Sequence, residues 1–207
     1  MRTRMVNLRG LATLAGAAAV VLCLFSGVAR ADGDSLKIRW DIQHYPNSVL
    51  QPGGEAFADA VASPPGSLPP KIRLTGSGTF KTDGDDVTGG GTWETFDASG
   101  ALTGSGTYRA LKLVSWYVAP GTLPCPPITD DIAPCANARA GLAVLKIKYS
   151  DGGVGKLVVS CHLPVGSSPY TYEGITVSMG FIDYYLPEDP DLTMNGTIFH
   201  VLRGDGD

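Results

Sequence analysis

Three stretches of this chain carry one pattern: Gly78-Thr79-Phe80, Gly91-Thr92-Trp93 and Gly106-Thr107-Tyr108, each with a further glycine two positions earlier at Gly76, Gly89 and Gly104. A weaker echo is Gly196-Thr197-Ile198-Phe199. The intervals of 13 and 15 residues fit a strand plus a turn and are too short and irregular for a solenoid. In a strand, glycines at i and i+2 share a face, and the aromatic at i+4 joins them. Glycine inside a strand weakens it, so its recurrence implies a sheet that coils sharply, or a backbone or ring that approaches closely. Three neighbouring strands of this kind point to a closed or strongly coiled sheet.

The rest of the chain agrees. Leu36, Ile38, Trp40 and Ile42 alternate with Lys37, Arg39 and Asp41, and His44 continues the apolar face. Stretches 71–81, 87–96 and 102–117 form an antiparallel meander joined by short turns. Leu145, Ile147 and Tyr149 run into Asp151-Gly152, a hairpin signal, and Leu157, Val159, Cys161 and Leu163 return along one face. Ile175, Val177, Met179 and Phe181 mark another strand, and 197–202 a last one. Residues 45–70 are rich in Pro and Gly and read as loop, with Glu55 to Val61 able to form two helical turns. The expected fold is all-β: a single antiparallel β-barrel of about eight strands, with a two-sheet β-sandwich as the alternative.

The first 31 residues read as a segment apart. Arg2, Arg4 and Arg9 precede an apolar run from Leu11 to Val28, and Ala29-Arg30-Ala31 is a small-residue cleavage site. That order describes a secretory signal peptide cleaved after Ala31, giving a secreted or periplasmic protein. The apolar run is close to the length of a membrane span, but the cleavage signal and polar Asp32-Gly33-Asp34 favour removal. Residues 32–207 then form one domain, with 203–207 a frayed tail. No transmembrane segment is expected in the mature chain. Four of 16 basic residues and none of 20 acidic ones precede Asp32, so the mature charge is −8. Phosphate recognition demands a basic footprint, so nucleic acid is not expected as a partner.

Cys125, Cys135 and Cys161 remain after cleavage. An oxidising compartment allows one bridge. Cys125–Cys135, closing a Pro-rich loop, is the expected pair, with Cys135–Cys161 as the runner-up. The leftover thiol is expected to be buried, with His162 its only local activator.

Catalytic signatures are missing: there is no G-x-S-x-G, H-E-x-x-H, P-loop or dinucleotide fingerprint. The acidic groups Asp83-x-Asp85-Asp86 and Glu188-Asp189-Pro190-Asp191 lack a calcium-loop pattern. A zinc set of Cys125, Cys135, Cys161 and His162 lacks a knuckle. No metal and no cofactor are therefore expected. Glu94, Glu173 and Asp183 are carboxylates in or near strands, and Asn195-Gly196-Thr197 matches a glycosylation sequon.

Trp40, His44, Phe80, Trp93 and Phe181 are the candidate ligand-binding residues: inward glycines would leave volume beside Phe80 and Trp93 for a small apolar molecule. The leading functional reading is a non-enzymatic exported barrel binding such a molecule. A structural or protein-interaction domain of the cell exterior is second. A small barrel isomerase, cyclase or hydrolase using His44 or Asp183 is third.

Overall fold

The alternating stretches do form strands. The computed structural model describes residues 35–62, 68–84, 86–188 and 196–202. In chain order the strands are β1 (Lys37–His44), β2 (Val49–Pro52), β3 (Ala56–Asp59), β4 (Lys71–Leu74), β5 (Ser77–Lys81), β6 (Gly90–Phe96) and β7 (Leu102–Ala119). They continue as β8 (Thr129–Asp130), β9 (Ala138–Tyr149), β10 (Val154–Cys161), β11 (Gly174–Met179), β12 (Ile182–Tyr184), β13 (Leu186–Pro187) and β14 (Gly196–Leu202). The segments 1–31 and 203–207, Asp85, residues 189–191 and Asn195 lie outside the described residues.

Six strands close into an antiparallel barrel: β1 pairs with β14, β14 with β9, β9 with β7, β7 with β6, β6 with β5, and β5 with β1. The all-β barrel expectation is met. Six of the other strands extend the sheet outside this ring, β10, β11 and β12 from β9, and β4, β3 and β13 from β6, while β2 pairs with β1 and β8.

The glycine pattern closes the ring. The seam between β5 and β6 is thin: Ser77 pairs with Gly90, and the Thr88 N–H donates to the Thr79 carbonyl at 2.8 Å. A Cβ on Gly89 would run into the Ser77 carbonyl, and one on Gly78 would lie 2.8 Å from the Gly89 Cα. Only glycine lets the two backbones meet so closely.

The volume expected beside Phe80 and Trp93 is taken by side chains. A Cβ on Gly106 would lie 2.8 Å from Trp93 Nε1, and one on Gly104 would lie 3.2 Å from the same indole. Trp40 lies as close over Gly78. Phe80, Trp116 and Phe199, from three strands of the ring, pack with centroids 4.6 to 6.5 Å apart. Each such ring withdraws roughly 150–250 Å² from water, about 4–6 kcal/mol of gross transfer free energy. The glycines hold the Trp40 and Trp93 indoles against the backbone.

Two local expectations change, and the polar face of β1 gains a cover. Glu55 to Val61 is not helical: Ala56–Asp59 is β3, paired with β4. The strand ending the 175–181 stretch stops at Met179, and Phe181 sits fully exposed (100 %) in the following turn. The second face of β1 is not solvated either, because Asp41 (0 % exposed) and Gln43 (7 %) are buried on it. The cover comes from the loop that the Cys125–Cys135 disulfide closes. Its strand β8 pairs in parallel with β2, and the Asp131 N–H donates to the Leu50 carbonyl at 3.0 Å.

Replacing Gly106 with alanine forces a Cβ against Trp93 and the Ser150 hydroxyl. Urea unfolding of Gly106→Ala is expected to show a loss of about 2 kcal/mol, the scale of core overpacking. Gly104→Ala, with its longer contacts, should lose less.

Candidate functional site

β9 offers one edge to two strands in succession. β10 pairs with it from Gly141 to Lys148, and β14 takes over at Ala138 and Arg139. Where β10 and β14 part, the ladder can no longer satisfy every backbone group. The Glu173 carboxyl, just before β11, fills the fork. Its Oε2 accepts the His162 N–H at 2.5 Å, and its Oε1 accepts the Thr197 N–H. The Thr197 hydroxyl lies 2.5 Å from the Ser160 carbonyl and 3.0 Å from Glu173 Oε1. It has a single proton, and the Ser160 carbonyl can only accept. The hydroxyl donates to one of these two acceptors at a time, the Ser160 carbonyl or Glu173 Oε1.

Desolvation by burial pushes the Glu173 carboxyl up to about 7, against the three hydrogen bonds from His162 and Thr197 that favour its charge. Burial likewise pushes the Cys161 thiol well up, and the nearby Glu173 charge adds to it. Cys161, the leftover thiol, is buried as expected. His162 donates from Nδ1 to the Thr171 carbonyl at 2.8 Å, which fixes its tautomer and leaves Nε2 as the acceptor.

Above this fork lies a cavity of about 320 Å³ between the barrel flank and the disulfide loop. The flank contributes Gln43, Glu173, Thr197 and Ile198, and the loop contributes Leu123, Pro124, Pro127 and Ile128. His162 and Tyr45 complete the polar part of the lining. Among the described residues no lysine or arginine lines it. Gln43 is nine-tenths buried, and its Oε1 has no hydrogen-bond partner within the protein. A buried acceptor left unpaired costs about 1–3 kcal/mol.

The loop is held down by buried charge. Asp130 Oδ2 meets His200 Nε2 on β14 at 2.8 Å, with both side chains wholly buried. Asp130 Oδ1 accepts the N–H groups of Ile132 and Ala133 at 3.0 and 3.2 Å. Burial alone would raise the Asp130 carboxyl. The His200 hydrogen bond and charge, with these two N–H groups, hold it below its ordinary value. Beside them Arg39 grips Asp41 through two hydrogen bonds of 2.8 Å.

The residues singled out by sequence fall elsewhere. Trp40 and Phe80 are fully buried in the barrel core, and Trp93 nearly so. Phe181 is on the surface. His44 is half-buried at the end of β1. Among the described residues, exposed Phe181 is thus set apart from Trp40 and Phe80 in the core. Asp183 is exposed on β12, and Glu94 is ion-paired with Arg73. Cys125 and Cys135 are bonded to each other, so they cannot join Cys161 and His162 around zinc. Among the described residues no helix is long and apolar enough to cross a membrane. No protein-family model, curated protein or solved structure matches the chain.

Two outcomes follow from the charged groups. The Glu173 carboxyl titrates higher folded than its unfolded value of 4.5, so its contribution to stability is complete below about pH 4.5 and is lost as pH rises through 7. Asp59, raised to about 6 by burial and then by the Glu188 charge, acts in the same direction. Thermal melts should fall by roughly 4–8 °C between pH 4.5 and 8, the scale of about 2 kcal/mol, and Glu173→Gln should remove much of that slope. Asp130→Asn leaves His200 without its charged partner, and chemical denaturation is expected to register a loss of about 3 kcal/mol.

Proposed function

We propose that this is an exported, non-catalytic barrel protein that binds a small, largely apolar molecule between its disulfide loop and the barrel flank. One observation carries the reading: an apolar cavity of about 320 Å³ whose buried Gln43 amide oxygen has no partner in the protein. Apolar pockets with a few convergent polar groups are the usual form of a small-molecule site, and this one is at the small end of their range, roughly 300–1,000 Å³. The site lies on the flank of the barrel, not in its interior, because aromatic rings occupy the space beside the glycines. Export is supported by the basic, apolar and small-residue order of the first 31 residues and by the Cys125–Cys135 disulfide.

A second reading has its own support. Glu173, titrating near 7, and His162, with Nδ1 committed to a carbonyl, share one cavity. A carboxyl near neutrality beside an imidazole is the equipment of acid/base chemistry. Against it, both Glu173 oxygens already hold the backbone where β10 and β14 part, which ranks binding first.

Native mass spectrometry of the protein purified from its own host's extracellular or periplasmic fraction, set against its denatured mass, tests the leading reading. The native mass is expected to exceed the denatured one by the mass of a small organic molecule. A native mass equal to that of the bare chain, from protein that never met competing ligand, would count against binding. The denatured mass also reports whether cleavage follows Ala31 and whether one disulfide has formed.

A further inference from the structure

Resting on the binding reading above, we infer that the cleft selects a hydrophobic amine: a compact apolar body carrying a protonated nitrogen that donates to Gln43 Oε1 and lies against the Glu173 carboxylate. Gln43 and Glu173 both line the cavity, Gln43 with an acceptor oxygen left without a donor and Glu173 with a carboxyl. Gln43 Oε1 is buried without a donor. Glu173 has donors from His162 and Thr197 but no side-chain cation, and among the described residues no lysine or arginine lines the cavity. A carboxylate ligand would bring a second negative charge beside Glu173 with nothing to neutralise it. A neutral alcohol would satisfy Gln43 alone. An ammonium satisfies both, and its charge-assisted hydrogen bonds are the stronger kind. The cavity of about 320 Å³ holds about ten non-hydrogen atoms at roughly 30 Å³ each, the share of one water in the liquid.

The titratable groups around Glu173 are few. β10 brings the Cys161 thiol, pushed well up by burial, and His162. Tyr172 precedes Glu173 in the chain, and Tyr45 lines the cavity from the end of β1. β14 and the disulfide loop present no ionisable group to it, since Gly196, Thr197, Leu123, Pro124, Pro127 and Ile128 form those walls. Amine binding therefore follows the ionisation of Glu173.

The test is an NMR titration of the purified full chain with n-hexylamine, n-hexanol and n-hexanoate at pH 8 and pH 5.5. At pH 8 hexylamine should bind about tenfold more tightly than hexanol, the worth of a hydrogen bond to a charged group, and hexanoate should not saturate. Hexylamine should weaken by about 30-fold at pH 5.5, the change in ionised fraction of a carboxyl titrating near 7. Glu173→Gln should flatten that dependence. Gln43→Met, which keeps the volume and removes the acceptor, should weaken both hexylamine and hexanol at least fivefold. Hexanol or hexanoate binding as tightly as hexylamine would overturn the amine assignment and leave the ligand-binding reading standing. Hexanoate winning outright would mean that the Gln43 amide presents its nitrogen. Unchanged hexylamine binding by Gln43→Met would also overturn it, and that variant carries the test if Glu173→Gln does not fold. Binding of none of the three probes would remove both readings together.

Discussion

β1 is buried on both faces, and the rest of the molecule follows from how its second face is covered. Ile38, Trp40 and Ile42 enter the barrel core as any apolar stripe does. Arg39, Asp41 and Gln43 face the other way, beneath a loop that contributes Asp130. Covering charged groups is costly unless each finds a partner. Arg39 takes Asp41 within β1, and His200 on β14 hydrogen-bonds Asp130, so the loop is fixed to the barrel at this buried contact. Gln43 is the member of that row whose oxygen the protein does not satisfy. The cavity is thus the incomplete end of an otherwise closed layer.

Glu173 has two demands on it. As a clamp it satisfies two backbone N–H groups that the parting strands leave over, a task for a carboxyl with both oxygens facing inward. As part of the cavity lining it offers charge that shifts with pH near neutrality. A group that stabilises best when protonated, and that under the proposal holds a cation best when ionised, would set folding against binding. Such conflicts concentrate at functional sites, where local rules give way to a task.

Much of the barrel was legible in the chain. Alternation along 36–42, 145–149 and 157–163 announced strands, and the Gly-Thr-aromatic stretches announced a sharply coiled sheet, because period-2 patterning and strand glycines each have a local physical cause. The Cys125–Cys135 pair was legible from spacing. The site was less so. Asp41 and Gln43 occupy positions that a half-exposed strand would give to water, and only the covering loop makes them buried. Strands β2, β8 and β13 are too short to show a period at all. Phe181 continued an apolar stripe on paper, but Gly180, at φ 60°, turns the chain before that residue is reached. Glu173 was visible as a carboxylate beside a strand, while its fork exists only once β10 and β14 are both in place on β9.

The order of strands in the ring also orders events in time. β1, at residues 37–44, takes its partner from β14, at residues 196–202. The remaining ring neighbours of β1 and β9 form from nearer sequence, but this pairing spans most of the described chain, and non-local pairings form slowly. A chain emerging N-terminus first, from a ribosome or through a membrane, presents β1 with an unpaired edge until its last strand arrives. Lys37, Arg39 and Asp41 suit that wait, because charges along an open edge deter pairing with the wrong chain. Arg39 and Asp41, which later lie beside the disulfide loop's Asp130, thus first act with Lys37 as a guard, keeping a half-made barrel from recruiting a stranger in place of β14.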